Sequence, residues 1–240
     1  MFNQENFLID KYIAHRGFHN EENPENTLGA FSRAIEKGYV IELDVQLLKD
    51  NTVVVIHDNK LSRLCGEDRY ISNSTLEDIK DLRVLNSKYS IPTLKEVLEL
   101  VDGKVPLLIE IKNNLKVGEL ESKTYELLKD YKGEFAIQSF NPYSLEWFKK
   151  NAPNILRGQL SSFFKGENLS FIKKMFLKKL RLNKISSPHF ISYKAEDLPN
   201  KYCNRTNLPI LAWTVRSQEE YMKVVKYCDN IIFEDFEPTI

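Results

Sequence analysis

Short apolar runs alternate with amphipathic stretches from one end of the chain to the other. Runs rich in Val, Ile, Leu and aromatic residues predict strands at 11–15, 39–45, 106–112, 134–139, 154–160, 184–191, 209–214 and 229–234. Between them, apolar residues at helical spacing predict helices near 27–37, 93–102, 118–130, 142–150, 167–180, 195–204 and 217–227. Three starts carry a capping-box pattern: Thr93 with Glu96, Ser217 with Glu220 and, for a short helix over 75–82, Ser74 with Glu77. Such alternation predicts a parallel sheet with right-handed crossovers. Eight strands in 240 residues suit a single α/β domain spanning 1–240, a (β/α)₈ TIM barrel, better than an open sheet. Residues 53–92 break the rhythm and read as a small insertion after strand two, too short to be a domain of its own.

A 42% hydrophobic content is enough for a full core, and 34 basic against 34 acidic residues leave no net charge. Proteins that track nucleic-acid phosphates carry a basic excess, so no nucleic-acid partner is expected. Cys65, Cys203 and Cys228 are odd in number and contain no CxxC, which predicts reduced thiols and neither a disulfide frame nor a zinc site. Met1 to Asp10 lacks a basic start followed by an apolar run, and no apolar stretch approaches the ~20 residues of a membrane span. A cytoplasmic protein is expected.

The chemistry concentrates in five short motifs. Ile13-Ala14-His15-Arg16-Gly17 is followed by Pro24-Glu25-Asn26-Thr27, Ile41-Glu42-Leu43-Asp44 and His57-Asp58, and later by Ile109-Glu110-Ile111-Lys112. Alternation along a strand puts Glu42 and Asp44 on one face, with Ile41, Leu43 and Val45 on the other, and likewise pairs Glu110 with Lys112. With the apolar faces against the helices, three carboxylates converge at the C-terminal mouth of the barrel, where such folds place their sites. They would repel one another unless a cation such as Mg²⁺ or Ca²⁺ joined them; the bland alternative is a set of core charges paired with lysine or arginine. His15 and His57 could move protons at neutral pH, Arg16 offers a bidentate fork for phosphate and Lys112 a second positive charge. Asp58 could orient His57 or cap the next turn, and either Asn26 or Thr27 could cap the helix that follows, leaving Glu25 free to support substrate binding. His19 and His189 lack such surroundings and read as loop or surface residues.

These motifs in this order, together with Ile91-Pro92-Thr93-Leu94, Gln138-Ser139-Phe140-Asn141-Pro142, Trp213-Thr214-Val215 and Asp229-Asn230-Ile231-Ile232, resemble the glycerophosphodiester phosphodiesterase family over nearly the whole chain. The resemblance implies a barrel with an insertion after strand two, and hydrolysis of glycerophosphodiesters to glycerol 3-phosphate and an alcohol. It implies His15 and His57 as the acid/base pair and Glu42, Asp44 and Glu110 as ligands of one divalent cation. Arg16 and Lys112 would hold phosphate and Trp213 would line the substrate pocket. Many relatives close with Gly-Ile-Ile-Thr-Asp, where this chain has Asn230-Ile231-Ile232-Phe233-Glu234, and carry Asn where this chain has Arg216. Both departures fall on the last two strands, where head groups would be read. A lysophospholipase D specificity and a non-catalytic phosphoester-binding barrel are the alternatives; two histidines argue against the second, since binding alone needs no proton carriers.

Residues 165–184 stand apart. Lys165, Lys173, Lys174, Lys178, Lys179, Arg181 and Lys184 face only Glu167, a local charge of about +6 in a neutral protein, while Ile172, Met175, Phe176 and Lys179 or Leu180 follow helical spacing. One reading is an ordinary outer helix with its apolar face on the sheet. The other is a peripheral contact with anionic lipid.

Overall fold

The computed structural model describes residues 6–113 and 116–239; the first five residues of the Met1–Asp10 stretch lie outside them. Eight parallel strands close on one another: β1 (Ile13–Ala14), β2 (Val40–Leu47), β4 (Leu107–Ile111), β5 (Phe135–Ser139), β6 (Leu156–Ser161), β7 (Phe190–Lys194), β8 (Ile210–Val215) and β9 (Asn230–Phe233). The barrel closes because β1 pairs with both β2 and β9. A ninth strand, β3 (Val53–Val55), lies outside, antiparallel to the end of β2. The fold is the expected TIM barrel.

Two apolar layers follow from strand alternation. Ile41, Leu43, Val45, Ile109 and Ile111 point outward and pack with α2 (Leu28–Lys37), α5 (Leu94–Val101), α6 (Glu119–Leu128) and α7 (Pro142–Asn151). Inside the barrel, Ile13, Val40, Leu108, Phe190, Leu211 and Ile232 meet Phe7 and Leu8 of α1 (Phe7–Asp10), which plugs the N-terminal end. Asn230 Nδ2 donates to the carbonyls of Leu8 and Lys11, at 2.8 and 2.7 Å. This departure therefore anchors the barrel floor and reads no head group.

The insertion contains β3, α3 (Ser62–Cys65) and α4 (Leu76–Ile79), and it has its own apolar centre of Leu48, Val54, Ile56, Leu61, Leu64 and Ile79. Thr93 and Glu96 form the expected capping box. Ser217 caps α10 (Gln218–Val224), but the Glu220 carboxylate accepts from Arg216 N at 2.7 Å. The short insertion helix is capped by Thr75 and Asp78, one residue later than expected, because Ser74 spends its hydroxyl on the Tyr70 carbonyl.

Three expectations need correction. The strand expected at 184–191 is β7, starting only at Phe190, because 183–186 winds into the short α9 (Asn183–Ser186). No α-helix spans 195–204: two 3₁₀ turns, Ala195–Asp197 and Cys203–Arg205, flank Pro199, which has no N–H to donate, and Asn200, whose side chain bonds the Asp197 carbonyl and the Tyr202 and Cys203 amides. The helix expected at 167–180 is only α8 (Phe171–Lys178), capped by Ser170. It buries Leu177, with Leu180 just beyond it, while Ile172, expected on the packed face, is exposed.

Candidate active site

Strand register brings the carboxylates together. Asp44 lies beside Glu110 across β2 and β4, with Glu42 two residues earlier on the same face. One oxygen from each of Glu42, Asp44 and Glu110 lies within 4.8 Å of the others, and all three side chains are buried. Lys112 Nζ stands 3.1 Å from Glu110 Oε1 and 3.6 Å from Asp44 Oδ1. Asn26 Nδ2 donates to Asp44 Oδ2 at 2.9 Å, and Gln138 Nε2 to Glu42 Oε1 at 3.3 Å. Thr27, not Asn26, caps α2, so Asn26 is free for this bond.

Charge within this cluster is incompletely balanced. Burial, reinforced by Asp44 and Glu110, drives the Glu42 carboxyl well above its ordinary range. Burial also raises Glu110 despite Lys112 beside it. Burial works the same way on Asp44, but Lys112 and Arg16 outweigh it and hold that group low. Asp44 Oδ1 is nevertheless buried without a hydrogen-bond partner. An oxygen-only cluster with an unpartnered buried oxygen fits a hard divalent cation.

Arg16 follows β1 in a left-handed conformation, φ 55°, and Gly17 continues it at φ 81°. A Cβ on Gly17 would sit 2.9 Å from the Ala30 backbone and the Phe31 ring, so the tight turn that aims Arg16 inward needs glycine. Arg16 N donates to Glu42 Oε2 at 3.0 Å and its Nη1 to Glu25 Oε1 at 2.6 Å, while Nε faces Asp44 Oδ2 at 3.4 Å. Glu25 is thus turned onto Arg16 and Arg63, both of whose Nη atoms it also accepts.

Each proposed proton carrier has a carboxylate on Nδ1. His15 Nδ1 contacts Glu234 Oε2, and His57 Nδ1 lies 2.7 Å from Asp58 Oδ1. Burial lowers both imidazoles below their ordinary value, only partly offset by the neighbouring carboxylates, which favours neutral rings at neutral pH. Hydrogen bonds from Arg63 and His57 overcome burial and hold Asp58 at about 2. Asp58 therefore orients His57. Gln46 Nε2 lies 2.9–3.0 Å from the carbonyls of Ile56, His57 and Asp58, fixing the loop that carries the ring.

Several of these residues escaped sequence reasoning. Glu234 also receives Arg216 Nε at 2.7 Å and faces His19 Nε2 at 3.5 Å, so His19 belongs to the site's surroundings and the two departures on the last strands, Arg216 and Glu234, bond each other. His189 accepts from the Arg157 amide, away from these groups. Asp58–Arg63–Glu25 was hidden because α3 lies in the insertion and its arginine carries no motif.

The site opens into a cleft of about 1160 Å³ lined by His57, Glu110, Lys112, Phe140, Phe164 and Trp213, among others. His15, Arg16, Glu42 and Asp44 are not on that lining; Asp44 reaches it through Lys112, and Arg16 in turn contacts both Asp44 and Glu42. Trp213 packs edge-on against Phe140, centroids 5.5 Å apart, and its buried Nε1–H has no partner among the described residues.

Comparison with known proteins decides the family. The model of the glycerophosphoryl diester phosphodiesterase family matches residues 15–236. The chain belongs to the glycerophosphoryl diester phosphodiesterase family. It is an enzyme, a phosphodiesterase of glycerophosphodiesters. A glycerophosphodiester phosphodiesterase of Caldanaerobacter subterraneus is 36% identical over 240 residues, covering 95% of each chain. A human lysophospholipase D is 37% identical over 140 residues, 53% of this chain and 43% of that one. An Oleispira antarctica phosphodiesterase solved with its product sn-glycerol-3-phosphate shares the fold at a TM-score of 0.79 and 24% identity, covering 95% of this chain and 93% of that one. Among the described residues no helix is long and apolar enough to cross a membrane.

Proposed function

We propose that glycerophosphodiesters are cleaved here to glycerol 3-phosphate and an alcohol with the help of one divalent cation, Mg²⁺ or Ca²⁺, held by Glu42, Asp44 and Glu110. The observation that carries this reading is the carboxylate trio, with its unpartnered Asp44 oxygen and two carboxyls raised above their ordinary range. When bound, the cation supplies Lewis-acid polarisation of the phosphoryl oxygens and orients the diester. Arg16 and Lys112 add positive charge for the non-bridging oxygens. Glu25 acts by aiming Arg16, and Trp213 offers its indole to the substrate from the cleft lining.

His15 and His57 exchange the protons. With Nδ1 donating to Glu234 or Asp58, each ring keeps Nε2 for transfer. One neutral ring takes a proton from the attacking oxygen, of water or of a substrate hydroxyl, and its partner, acting from the minor protonated form that its lowered pKa allows at neutral pH, gives one to the departing alkoxide. The three cysteines, none in a disulfide, accord with a cytoplasmic setting.

Exhaustive chelation followed by add-back of Mg²⁺ or Ca²⁺ tests the reading on glycerophosphocholine. Activity should vanish and return, and calorimetry should find weaker cation binding in Glu42→Gln. Full turnover under chelation would overturn the cation site. The aromatic cleft, and the human lysophospholipase D relative, support lysophospholipids as a second substrate class. Choline release from lysophosphatidylcholine against glycerophosphocholine separates the two.

A further inference from the structure

The first turn of α8 carries two apolar residues that are left largely in solvent. Phe171 is 80% exposed and Ile172 65% exposed, whereas burial begins only at Leu177, whose carbonyl accepts from Ser161 Oγ at 3.0 Å. An outer barrel helix needs an apolar stripe against the strands, and Leu177 with Leu180 supplies it. Phe171 and Ile172 are surplus to that need. On the same helix and just after it stand Lys173, Lys174, Lys178, Lys179, Arg181 and Lys184; among the described residues none of the six forms an ion pair with a carboxylate. Lys165, the remaining basic residue of the segment, does reach Asp197, at 3.5 Å.

Position adds a third observation. Lys173 and Leu177 line the same cleft as His57, Glu110 and Lys112, and Tyr143, itself exposed, stands on that cleft's lining. The helix that carries the apolar tips and most of the cations therefore borders the mouth of the site.

We propose that this face, centred on Phe171 and Ile172 and ringed by the unpaired lysines, docks the enzyme on the surface of a bilayer containing anionic phospholipid. The occupant is argued from charge complementarity joined to insertion: each basic residue near an anionic surface strengthens binding about fivefold, and apolar side chains seated among head groups add to it. Nucleic acid would use the cations and leave two apolar tips in water. Docked this way, the cleft opens toward lipids and lipid-derived diesters; that benefit rests on the phosphodiesterase reading, whereas adhesion does not.

The test is co-sedimentation of the full chain with phosphatidylcholine vesicles, with and without phosphatidylglycerol, at low and high salt. Wild type should pellet with the anionic vesicles, at least tenfold better than with neutral ones, and salt should weaken this. Phe171→Glu/Ile172→Glu should lose about tenfold in binding, and Lys174→Glu/Lys179→Glu at least about 25-fold, two factors of five. Both variants should hydrolyse glycerophosphocholine in free solution at the wild-type rate, which also reports that they fold. Equal recovery of wild type in the supernatant with both vesicle types overturns the proposal. So does undiminished pelleting of both folded variants, or competition by RNA that is stronger than the vesicles and indifferent to Phe171 and Ile172. Vesicle binding without hydrolysis would sustain the proposal while sinking the phosphodiesterase reading.

Discussion

Glu234→Gln isolates the orientation of His15. The wild-type carboxylate meets His15 Nδ1, and Arg216 Nε holds it at 2.7 Å. Despite burial, the hydrogen bond from His15 and the positive charge of Arg216 keep this carboxyl far below the ordinary range, so it is charged at neutral pH. The amide substitution keeps shape and volume but removes the charge, and a hydrogen bond to a charged group contributes about 1.5–3 kcal/mol. If that energy is what holds the ring in its reactive tautomer, kcat falls by roughly 10- to 150-fold at about 1.4 kcal/mol per decade. Glutamine can also turn its NH₂ toward Nδ1, which shifts the ring proton to Nε2 and blocks the position needed to accept one. KM should change little, since Glu234 faces His15, His19 and Arg216 rather than the phosphate side. The assay is steady-state kinetics on glycerophosphocholine joined to ¹⁵N shifts of the His15 ring nitrogens. Unchanged kcat with an unchanged His15 tautomer would refute the reasoning, and Glu234→Asp should recover part of the loss if a charged partner is what matters.

Other consequences can be tested alongside it. His15→Ala and His57→Ala should each lower kcat by roughly 10²–10⁴-fold in steady-state assays, with a melting curve close to wild type, and near wild-type turnover in either removes that ring from the mechanism. Mg²⁺ or Ca²⁺ at about 100 times its Kd should stabilise the fold by about 2.7 kcal/mol, raising Tm by roughly 5–10 °C in calorimetry, and Glu42→Gln should reduce the rise. Gly17→Ala combines a positive φ with contacts at 2.9 Å and should cost at least about 2 kcal/mol in a denaturant titration. If the substrate's own free hydroxyl attacks first, phosphorus NMR should detect a transient cyclic glycerol phosphate, and full activity on a substrate without that hydroxyl favours direct water attack.

The barrel was legible because its strands are buried on one side by helices and carry charge only where the site needs it. Ile41-Glu42-Leu43-Asp44 states both faces in four residues, and the structure keeps them. Where reading failed, local pattern was overruled by punctuation or by space. Pro199 stopped a helix that apolar spacing over 195–204 suggested, and the stretch before Phe190 has the composition of a strand yet winds into α9. Exposure of Phe171 and Ile172 was invisible for another reason: a helical stripe says that a face is apolar, not that a partner lies within reach.

The missed site residues share a physical property: they act through another side chain. Glu234, Gln46 and Arg63 touch a histidine, the loop that carries one, or the carboxylates that aim the site, and any position in space offering an oxygen or nitrogen at the right distance would serve. Their sequence positions are set by the fold's closure rather than by motif spacing. His15 is steadied by the last strand because β9 pairs with β1, and His57 by an insertion because β3 turns back along β2. That gives the insertion's apolar centre a part in positioning His57. Ile56, Leu61 and Leu64 anchor the chain on either side of Asp58, and Arg63, between the two leucines, carries the same rigidity to Glu25 and so to Arg16. His57 and Arg16, the proposed proton carrier and phosphate clamp, 41 residues apart in sequence, are thereby held in one frame by an arginine that need not touch the substrate.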